Sequence, residues 1–269
     1  MVVIKLKKRI VSAIIMLLII IPLIILGGIP YSLAVGLIGC FAFKELIDLR
    51  KDKNNEYPNI MKYVGLISML YLIYSNFEKY GLLFGISYKL LCTIILITCI
   101  PIIFYKEKYK INDAFHLLSN ILFIGIGFNL FILIYNYNIK YFIMLILITI
   151  LTDTFALFGG KLIGKHNFTS ISPNKTIEGC VIGSLVSTFV CTMYYINVIG
   201  NSNNIIKVIF VILFLNIIGQ LGDLFFSAIK RQYNKKDFSD LIPGHGGILD
   251  RLDSIIFVMF AFSLIINYI

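Results

Sequence analysis

The sequence has little charge and long apolar runs. Only 14% of its 269 residues are Asp, Glu, Lys or Arg, whereas 59% are hydrophobic. A soluble domain has about 25% charged and about 45–50% apolar residues, so a soluble fold of this size is excluded. No internal repeat and no separate polar domain is visible, because the polar stretches between the apolar runs are short. The composition therefore indicates a polytopic membrane protein.

Cysteine-based metal sites are also missing from the sequence. All five cysteines lie in apolar segments, and no Cys-x-x-Cys or Cys/His metal-binding spacing occurs. Buried cysteine behaves as a small hydrophobic residue, so we interpret these thiols as packing residues. A Ser/His/Asp constellation for nucleophilic catalysis is not visible either.

Apolar runs long enough to cross a bilayer recur along the chain. A membrane helix needs about 20 apolar residues to cross roughly 30 Å of hydrocarbon. The first run has no small-residue cleavage site after it, so we interpret it as a retained helix. The predicted fold is all-α, with about nine transmembrane helices. They cover residues 10–27, 29–47, 60–77, 86–104, 115–135, 140–159, 176–197, 205–229 and 252–269.

The distribution of Lys and Arg predicts the orientation. With a cytoplasmic N-terminus, most basic residues fall in cytoplasmic loops, as the positive-inside rule expects. The net charge of +10 is then mostly a topology signal that also suits anionic lipid headgroups. Nothing in it requires nucleic acid as a partner.

Four aspartates of the C-terminal half lie in or next to predicted helices. Asp153 and Asp223 fall within the sixth and eighth, whereas Asp250 and Asp253 open the ninth on one helix face. A charge at the centre of a membrane helix costs about 2.5–3.5 kcal/mol, which makes such acids functional candidates. Carboxylates suit Mg²⁺, which takes one or two of them plus substrate phosphates. The alternative is that these acids cap helices or pair with Lys230, Arg231 or Arg251.

Two loops on the same predicted membrane face have the chemistry of anion sites. Residues 172–179, S-P-N-K-T-I-E-G, lead into the seventh helix, whose free N–H groups and Lys175 favour an anion. An ordinary capped helix start would look similar. Residues 243–247, P-G-H-G-G, form a turn whose glycine N–H groups can surround an anion. A plain glycine-rich connector is the alternative there.

Charged residues of the N-terminal half have a structural interpretation. Glu45 and Asp48 lie next to Lys44 and Arg50 at the inner end of the second span, which favours interfacial ion pairs. Asp113 borders the fifth span and is typical of a helix start.

Residues 227–253 read S-x-I-K-R-x4-K-D-x-S-x2-I-P-G-H-G-G-I-x-D-R-L-D. This stretch resembles the signature of phosphatidate cytidylyltransferases, also called CDP-diglyceride synthases, without departure. A second block, from Asp153-Thr-Phe-Ala to Ser172-Pro-x-Lys-Thr-x-Glu-Gly, is similar to the same family. The likeness is specific over residues 150–254, whereas residues 1–140 match only as hydrophobic spans after a basic N-terminus.

The resemblance implies transfer of CMP from CTP to phosphatidate, giving CDP-diacylglycerol and pyrophosphate. It also implies Mg²⁺ as cofactor and leaves a second cation open. The nucleophile is a phosphate monoester that is already mostly ionised near neutral pH. The protein's task is therefore positioning and charge stabilisation.

The family's residue roles transfer to matching positions of this sequence. The implied catalytic residues are Asp223, Asp250, Lys230 and Arg231. Asp223 and Asp250 are the implied metal ligands, with Asp253 and Asp153 as further ligands or their neighbours. Lys175 and Arg251 join the two catalytic cations in contacting phosphates. The nucleotide pocket is assigned to Ser172, His245, Gly246 and Gly247.

The expected organisation is a catalytic region, residues 141–269, with its cavity on the cytoplasmic side. For residues 1–140 two roles stay open, a lipid cavity or a homodimer contact. The expected location is a bacterial inner (cell) membrane, where phosphatidate comes from the bilayer and CTP from the cytoplasm. A CTP-dependent polyprenol or phytol kinase is disfavoured by the unbroken 227–253 pattern. A secondary transporter is disfavoured because the acids cluster toward one face and no repeat is present.

Overall fold

The computed structural model describes residues 2–50, 56–75, 87–105, 108–200 and 204–266, with side chains from residue 11 onward. In these ranges helices dominate. The helices are α1 (Val2–Leu26), α2 (Gly28–Asp48), α3 (Asn59–Ile73), α4 (Tyr88–Cys99), α5 (Pro101–Phe104), α6 (Ile111–Tyr137), α7 (Ile139–Ile163), α8 (Ile177–Tyr194), α9 (Ile205–Gln232) and α10 (Leu249–Ile265). A short π-helical stretch, Tyr195–Ile199, extends α8.

The helix starts follow local side-chain chemistry. The helices α7, α8 and α9 each begin after a residue whose side-chain oxygen accepts a hydrogen bond from a backbone N–H of the first turn. These cap residues are Asn138, Thr176 and Asn204. Asp113 acts similarly in the first turn of α6, where its Oδ2 accepts from Lys110 N at 2.7 Å. The prediction that Asp113 marks a helix start is confirmed.

Each of the nine predicted spans coincides with a helical region of the structure. The ends of three of them reach into residues 76–86 and 267–269, which lie outside the described residues. Within the described ranges, five helices are long and apolar enough to cross a membrane: α2, α6, α7, α8 with its π-helical extension, and α9. The protein is therefore a helical membrane protein. The count of nine spans and the orientation stay predictions.

A two-stranded hairpin departs from the all-helical prediction. Strands β1 (Asn167–Thr169) and β2 (Ser172–Thr176) pair antiparallel between α7 and α8, with Asn167 opposite Thr176 and Thr169 opposite Ser172. Strands this short give little alternation in the sequence, which therefore predicts only a loop for this polar segment. The hairpin fixes where Lys175 lies, one residue before the cap of α8.

The chain forms two compact units. The first contains Met1–Asn136 and Asp237–Arg251, and the second contains Tyr137–Lys236 and Leu252–Ile269. Within the first, α1 packs on α2, α2 on α3 and α3 on α4. The boundary predicted near residue 140 lies close to Asn136, but residues 237–251 group with the N-terminal helices. The division of roles between the two halves of the sequence stays a prediction.

Small residues determine the packing of the second unit. The helices α7, α8 and α9 pack against one another. A Cβ atom at Gly179 of α8 would lie 2.5 Å from Ala156 O, and one at Gly183 would lie 2.6 Å from Thr152 O. Glycines four positions apart thus let α8 approach the backbone of α7, as in many membrane helix pairs. The close approach involves the segment of α7 that contains Asp153, because Thr152 and Ala156 lie on either side of this residue in the sequence.

Candidate active site

The second unit contains a group of three acids and two cations, called here the carboxylate cluster: Asp153, Asp223, Asp253, Lys175 and Lys230. Asp223, in the interior of α9, forms an ion pair through Oδ2 with the Nζ atom of Lys175 on β2. Both side chains are only about one-quarter exposed, at 24% for Lys175 and 22% for Asp223. A partly buried ion pair is screened less than a surface pair.

The remaining members of the carboxylate cluster lie within electrostatic range of this pair. Asp253, in the first turns of α10, interacts with Asp223, Asp153 and Lys230. Cys180 of α8 is a neighbour of Lys175, Asp223 and Asp153. Lys230 is buried, with 8% of the residue exposed. The structure therefore gathers three of the four predicted metal-binding aspartates in one unit.

The polar face of α9 supports Asp223. Asn216, Gln220, Asp223, Ser227 and Lys230 follow one another at three- and four-residue intervals, so they lie on one helix face. Ser227 Oγ donates a hydrogen bond to Asp223 Oδ1 at 3.4 Å. Gln220 Nε2 donates at 2.8 Å to Ser184 Oγ. The face thus continues from the buried interior of the unit to the carboxylate cluster.

Asn216 is the buried end of this polar face and is fully inaccessible to solvent. Its Oδ1 accepts a hydrogen bond from Thr152 Oγ1, and its Nδ2 donates to Thr188 Oγ1 at 3.0 Å. One amide therefore joins α7, α8 and α9. Because Thr152 directly precedes Asp153, this network also fixes the position of Asp153 on α7.

The donor set fits a hard divalent cation. Within the described residues, no group of three or more His, Cys, Asp or Glu side chains could by itself hold a metal ion. Mg²⁺ does not need such a site, because it binds through one or two carboxylates and the phosphates of its substrate. Asp153 and Ser254 line a narrow cleft between α7, α9 and α10, and Ser254 Oγ is buried without a hydrogen bond among the described residues. The carboxylates of Asp223 and Asp253, which interact electrostatically, are of the chemical type that Mg²⁺ prefers.

The first unit contains five further predicted site residues, all within residues 237–251, called here the glycine-rich loop: His245, Gly246, Gly247, Asp250 and Arg251. Ile242 and Gly246 form a tight turn, in which Ile242 N donates to Gly246 O at 2.8 Å and His245 N donates to Ile242 O at 2.9 Å. Gly244 and Gly246 have φ angles of 79° and 83°. Glycine adopts this left-handed region without the steric penalty of a side chain, which explains two of the glycines in the turn.

Asp250 binds the glycine-rich loop from within. Its Oδ2 accepts hydrogen bonds from Phe238 N and Gly247 N, both at 2.8 Å. A Cβ atom at Gly246 would lie 2.8 Å from the same oxygen. A glycine N–H that we expected to face a substrate anion thus faces a carboxylate of the same loop. The roles of Asp250 as metal ligand and of the turn as nucleotide pocket stay predictions.

Two predicted site residues, Arg231 and Arg251, have local hydrogen-bond partners. Arg231 Nη1 donates to Lys235 O at 3.1 Å, and Arg251 Nε donates to His245 O at 3.1 Å. Ser172 begins β2, where it is half-buried. The structure places these residues on the elements that hold the cluster and the loop, and their substrate contacts stay predictions.

Sequence reasoning missed four side chains that hold the predicted site. Asn216 and Gln220 position the polar face of α9, and Ser12 and Glu45 bind the glycine-rich loop. Their sequence signal was a polar residue within an apolar run, which is costly in a membrane. Glu45 also has partners different from those expected, since Arg50 pairs instead with Asp113, with Nη2 and Oδ1 2.5 Å apart.

Comparison with known proteins gives the family. The sequence pattern described as "Cytidylyltransferase family" matches residues 7–269. The chain belongs to the cytidylyltransferase family. The phosphatidate cytidylyltransferase of Bacillus subtilis is 32% identical over 264 residues, covering 95% of this chain and 96% of that protein. Proteins of the same name from Staphylococcus haemolyticus and Staphylococcus epidermidis are 35% and 37% identical, each over 94% of this chain and 96% of the relative.

Membership of the cytidylyltransferase family makes the protein a nucleotidyltransferase, as the sequence predicted. The match covers the N-terminal helices as well as the C-terminal half. Both the carboxylate cluster and the glycine-rich loop therefore lie within the matched residues.

Proposed function

We propose that the protein is a phosphatidate cytidylyltransferase of phospholipid biosynthesis. It transfers CMP from CTP to phosphatidate, forming CDP-diacylglycerol and releasing pyrophosphate. One observation carries this proposal: relatives with that name are 32–37% identical over 94–95% of the chain. The carboxylate cluster supports it, because the reaction brings together two polyanions and needs fixed cations and metal ligands.

The residues of the cluster have distinct tasks in this reaction. An oxygen of the phosphatidate phosphate attacks the α-phosphorus of CTP, and the bond from that phosphorus to the β-phosphate oxygen breaks. No base is required, because the attacking phosphate is already ionised near neutral pH. Lys175 and the buried Lys230 stabilise the negative charge that develops on the α-phosphate and on pyrophosphate. Arg231 and Arg251 are proposed as additional phosphate contacts.

Asp223 is the proposed principal ligand of Mg²⁺, and Asp253 and Asp153 are its proposed neighbours or co-ligands. The bound ion would supply Lewis-acid stabilisation of the phosphates and a template for the two substrates. Asp223 also orients Lys175 through their ion pair. The role of Asp250 as a metal ligand stays a prediction from the family resemblance. The identity of any second cation stays open.

The proposed location follows from the substrates. The phosphate of phosphatidate lies at the headgroup plane of the bilayer, and CTP comes from the cytoplasm. We place the reaction at the cytoplasmic face of a bacterial inner membrane, in agreement with the basic residues of the predicted cytoplasmic loops. A homodimer stays a prediction.

The decisive experiment uses purified protein in detergent with phosphatidate, Mg²⁺ and CTP labelled at either the α- or the γ-phosphate. The proposal expects α-label in the lipid fraction, with γ-label released as pyrophosphate. Adding EDTA should stop both. As a control for the variants of site residues, Glu56→Gln, which changes an exposed ion pair with Lys62, should transfer the label as wild-type protein does.

Two other results would replace the proposal. Transfer of the γ-label to an added polyprenol or phytol, without transfer of the α-label, would make the protein a CTP-dependent kinase. Absence of transfer to either acceptor by folded protein would return a transporter to consideration.

A further inference from the structure

Glu45, in the last turn of α2, is a buried carboxylate that binds the glycine-rich loop. The residue is only 5% exposed. Its Oε1 accepts hydrogen bonds from Ser239 Oγ at 2.6 Å and from Ile248 N at 2.8 Å. Its Oε2 accepts one from Leu249 N at 2.9 Å. A single side chain thus binds two separate segments of a loop that begins nearly 200 residues later, Ser239 being 194 positions away.

These donors suit an ionised carboxylate. An ionised carboxylate only accepts hydrogen bonds, and each of the three groups described around Glu45 is a donor. Leu249 begins α10, where a negative charge also interacts favourably with the helix dipole. Hydrogen bonds to a charged group are roughly twice as strong as those between neutral groups. Glu45 therefore fixes the start of α10 more firmly than a neutral side chain would.

The same contacts determine the position of Asp250. Gly247 N donates to Asp250, and the next two amides donate to Glu45, so two carboxylates share three consecutive N–H groups. A Cβ atom at Gly247 would lie 2.5 Å from Glu45 Oε1. The turn and Glu45 are therefore packed against each other. Any displacement of Glu45 would move the amides that orient Asp250.

A second N-terminal side chain binds the same loop. Ser12 Oγ of α1 lies 2.7 Å from His245 Nδ1 and 3.1 Å from Pro243 O. Helices α1 and α2 each contribute one polar side chain to the loop. The N-terminal helices thus have a task that neither a lipid cavity nor a dimer contact describes.

We propose that Glu45 is a positioning residue for cytidylyl transfer, acting through the glycine-rich loop to hold Asp250 and His245 in place. The inference rests on the proposed function and on the sequence prediction that Asp250 and His245 take part in the reaction. Glu45 itself touches no substrate in this proposal. It extends the functional site into the N-terminal helices.

The test compares Glu45→Gln with Asp48→Asn, which removes a charge from the same helix three residues later. Gln keeps the size of the side chain but turns an NH₂ group toward N–H or O–H donors. Misplacement of catalytic groups by about 1 Å can cost roughly 10²-fold in rate. We expect kcat per folded molecule to fall about 10²-fold in Glu45→Gln and to stay within about twofold in Asp48→Asn. Glu45→Asp should recover part of the loss.

The folded fraction is measured by the thiol reactivity of the buried Cys180 and Cys191. A purely structural role would reduce the folded fraction and leave kcat per folded molecule unchanged, and that result would overturn the proposal. If Glu45→Gln does not fold, the variant Ser239→Ala is measured in its place. It removes one of the hydrogen-bond donors to Glu45, and it lies in the loop outside the helices. An unchanged kcat in folded Ser239→Ala would then contradict the proposal, and a loss of several-fold would support it.

Trypsin separates this inference from the proposed function. If wild-type protein transfers no α-label, the proposed function is wrong. The rate of tryptic cleavage after Lys236, next to the glycine-rich loop, still shows whether Glu45 holds that loop in place. We expect faster cleavage there in Glu45→Gln than in wild-type protein or Asp48→Asn. Equal cleavage rates would show that Glu45 does not hold the loop.

Discussion

The ammonium group of Lys175 and the carboxylate of Asp223 form an ion pair that joins a short strand to the interior of a membrane helix. Asp223 therefore has a partner before any substrate is bound. Lys175 is in turn oriented by a group that is fixed on α9. In the proposed reaction, Asp223 would exchange part of this pairing for a metal ion and Lys175 would exchange it for a phosphate of CTP.

The first prediction concerns Asp223. Asp223→Asn removes the charge that pairs with Lys175 and that we propose as the Mg²⁺ ligand, so kcat should fall by about 10²–10³-fold. The measurement is α-label transfer at saturating CTP and phosphatidate. Glu56→Gln should keep wild-type activity. Full activity in folded Asp223→Asn would remove the core of the proposed mechanism.

The second prediction concerns the metal ion. After EDTA treatment, activity should return as Mg²⁺ is added back. In Asp253→Asn the Mg²⁺ concentration for half-maximal activity should rise about 10–100-fold, as is typical when a neighbour of a metal ligand is lost. Asp240→Asn, a change at an exposed aspartate, should leave that concentration unchanged. The same Mg²⁺ dependence in wild-type and Asp253→Asn protein would place Asp253 outside the metal site.

The third prediction concerns the buried amide of Asn216. Asn216→Ala leaves the hydroxyl groups of Thr152 and Thr188 without their shared partner. The free energy of unfolding should therefore fall by about 1–2 kcal/mol. Thermal exposure of the buried Cys191 in detergent measures the change. Asn197→Ala is the matched control, because Asn197 is exposed and, among the described residues, its side chain donates to Met193 O in the same helical segment. Equal stability of the two variants would contradict the network.

The fourth prediction concerns the tautomer of His245. We expect the Ser12 hydroxyl to donate its one hydrogen to Pro243 O, which makes His245 Nδ1 the donor to Ser12 Oγ. Nitrogen NMR of protein labelled at its three histidines should therefore show a protonated Nδ1 for His245. In Ser12→Ala this preference should be lost. A proton on Nε2 alone in wild-type protein would show that the hydroxyl donates to the ring instead.

The helices could be predicted from the sequence, because a long apolar run indicates a membrane helix without reference to the rest of the chain. The partners of the charged residues could not be predicted in this way. Asp223 was expected to be free for metal or paired with nearby Lys230 or Arg231, yet its ion pair is with Lys175 of the hairpin. Glu45 was grouped with Lys44 and Arg50, its neighbours in sequence, yet it binds Ser239. Hydrogen bonds across such separations depend on how helices pack, which a single sequence does not display.

The contact between Glu45 and the glycine-rich loop has a consequence for biosynthesis. Ile248, one of the donors to Glu45, is added to the chain 203 residues after it. At about 5–20 residues per second, the ribosome needs roughly 10–40 s to reach that point. During this interval the N-terminal helices must tolerate a carboxylate whose partners do not yet exist. A nascent chain that stops before residue 239 lacks all three of the hydrogen-bond donors that Glu45 binds in the folded protein.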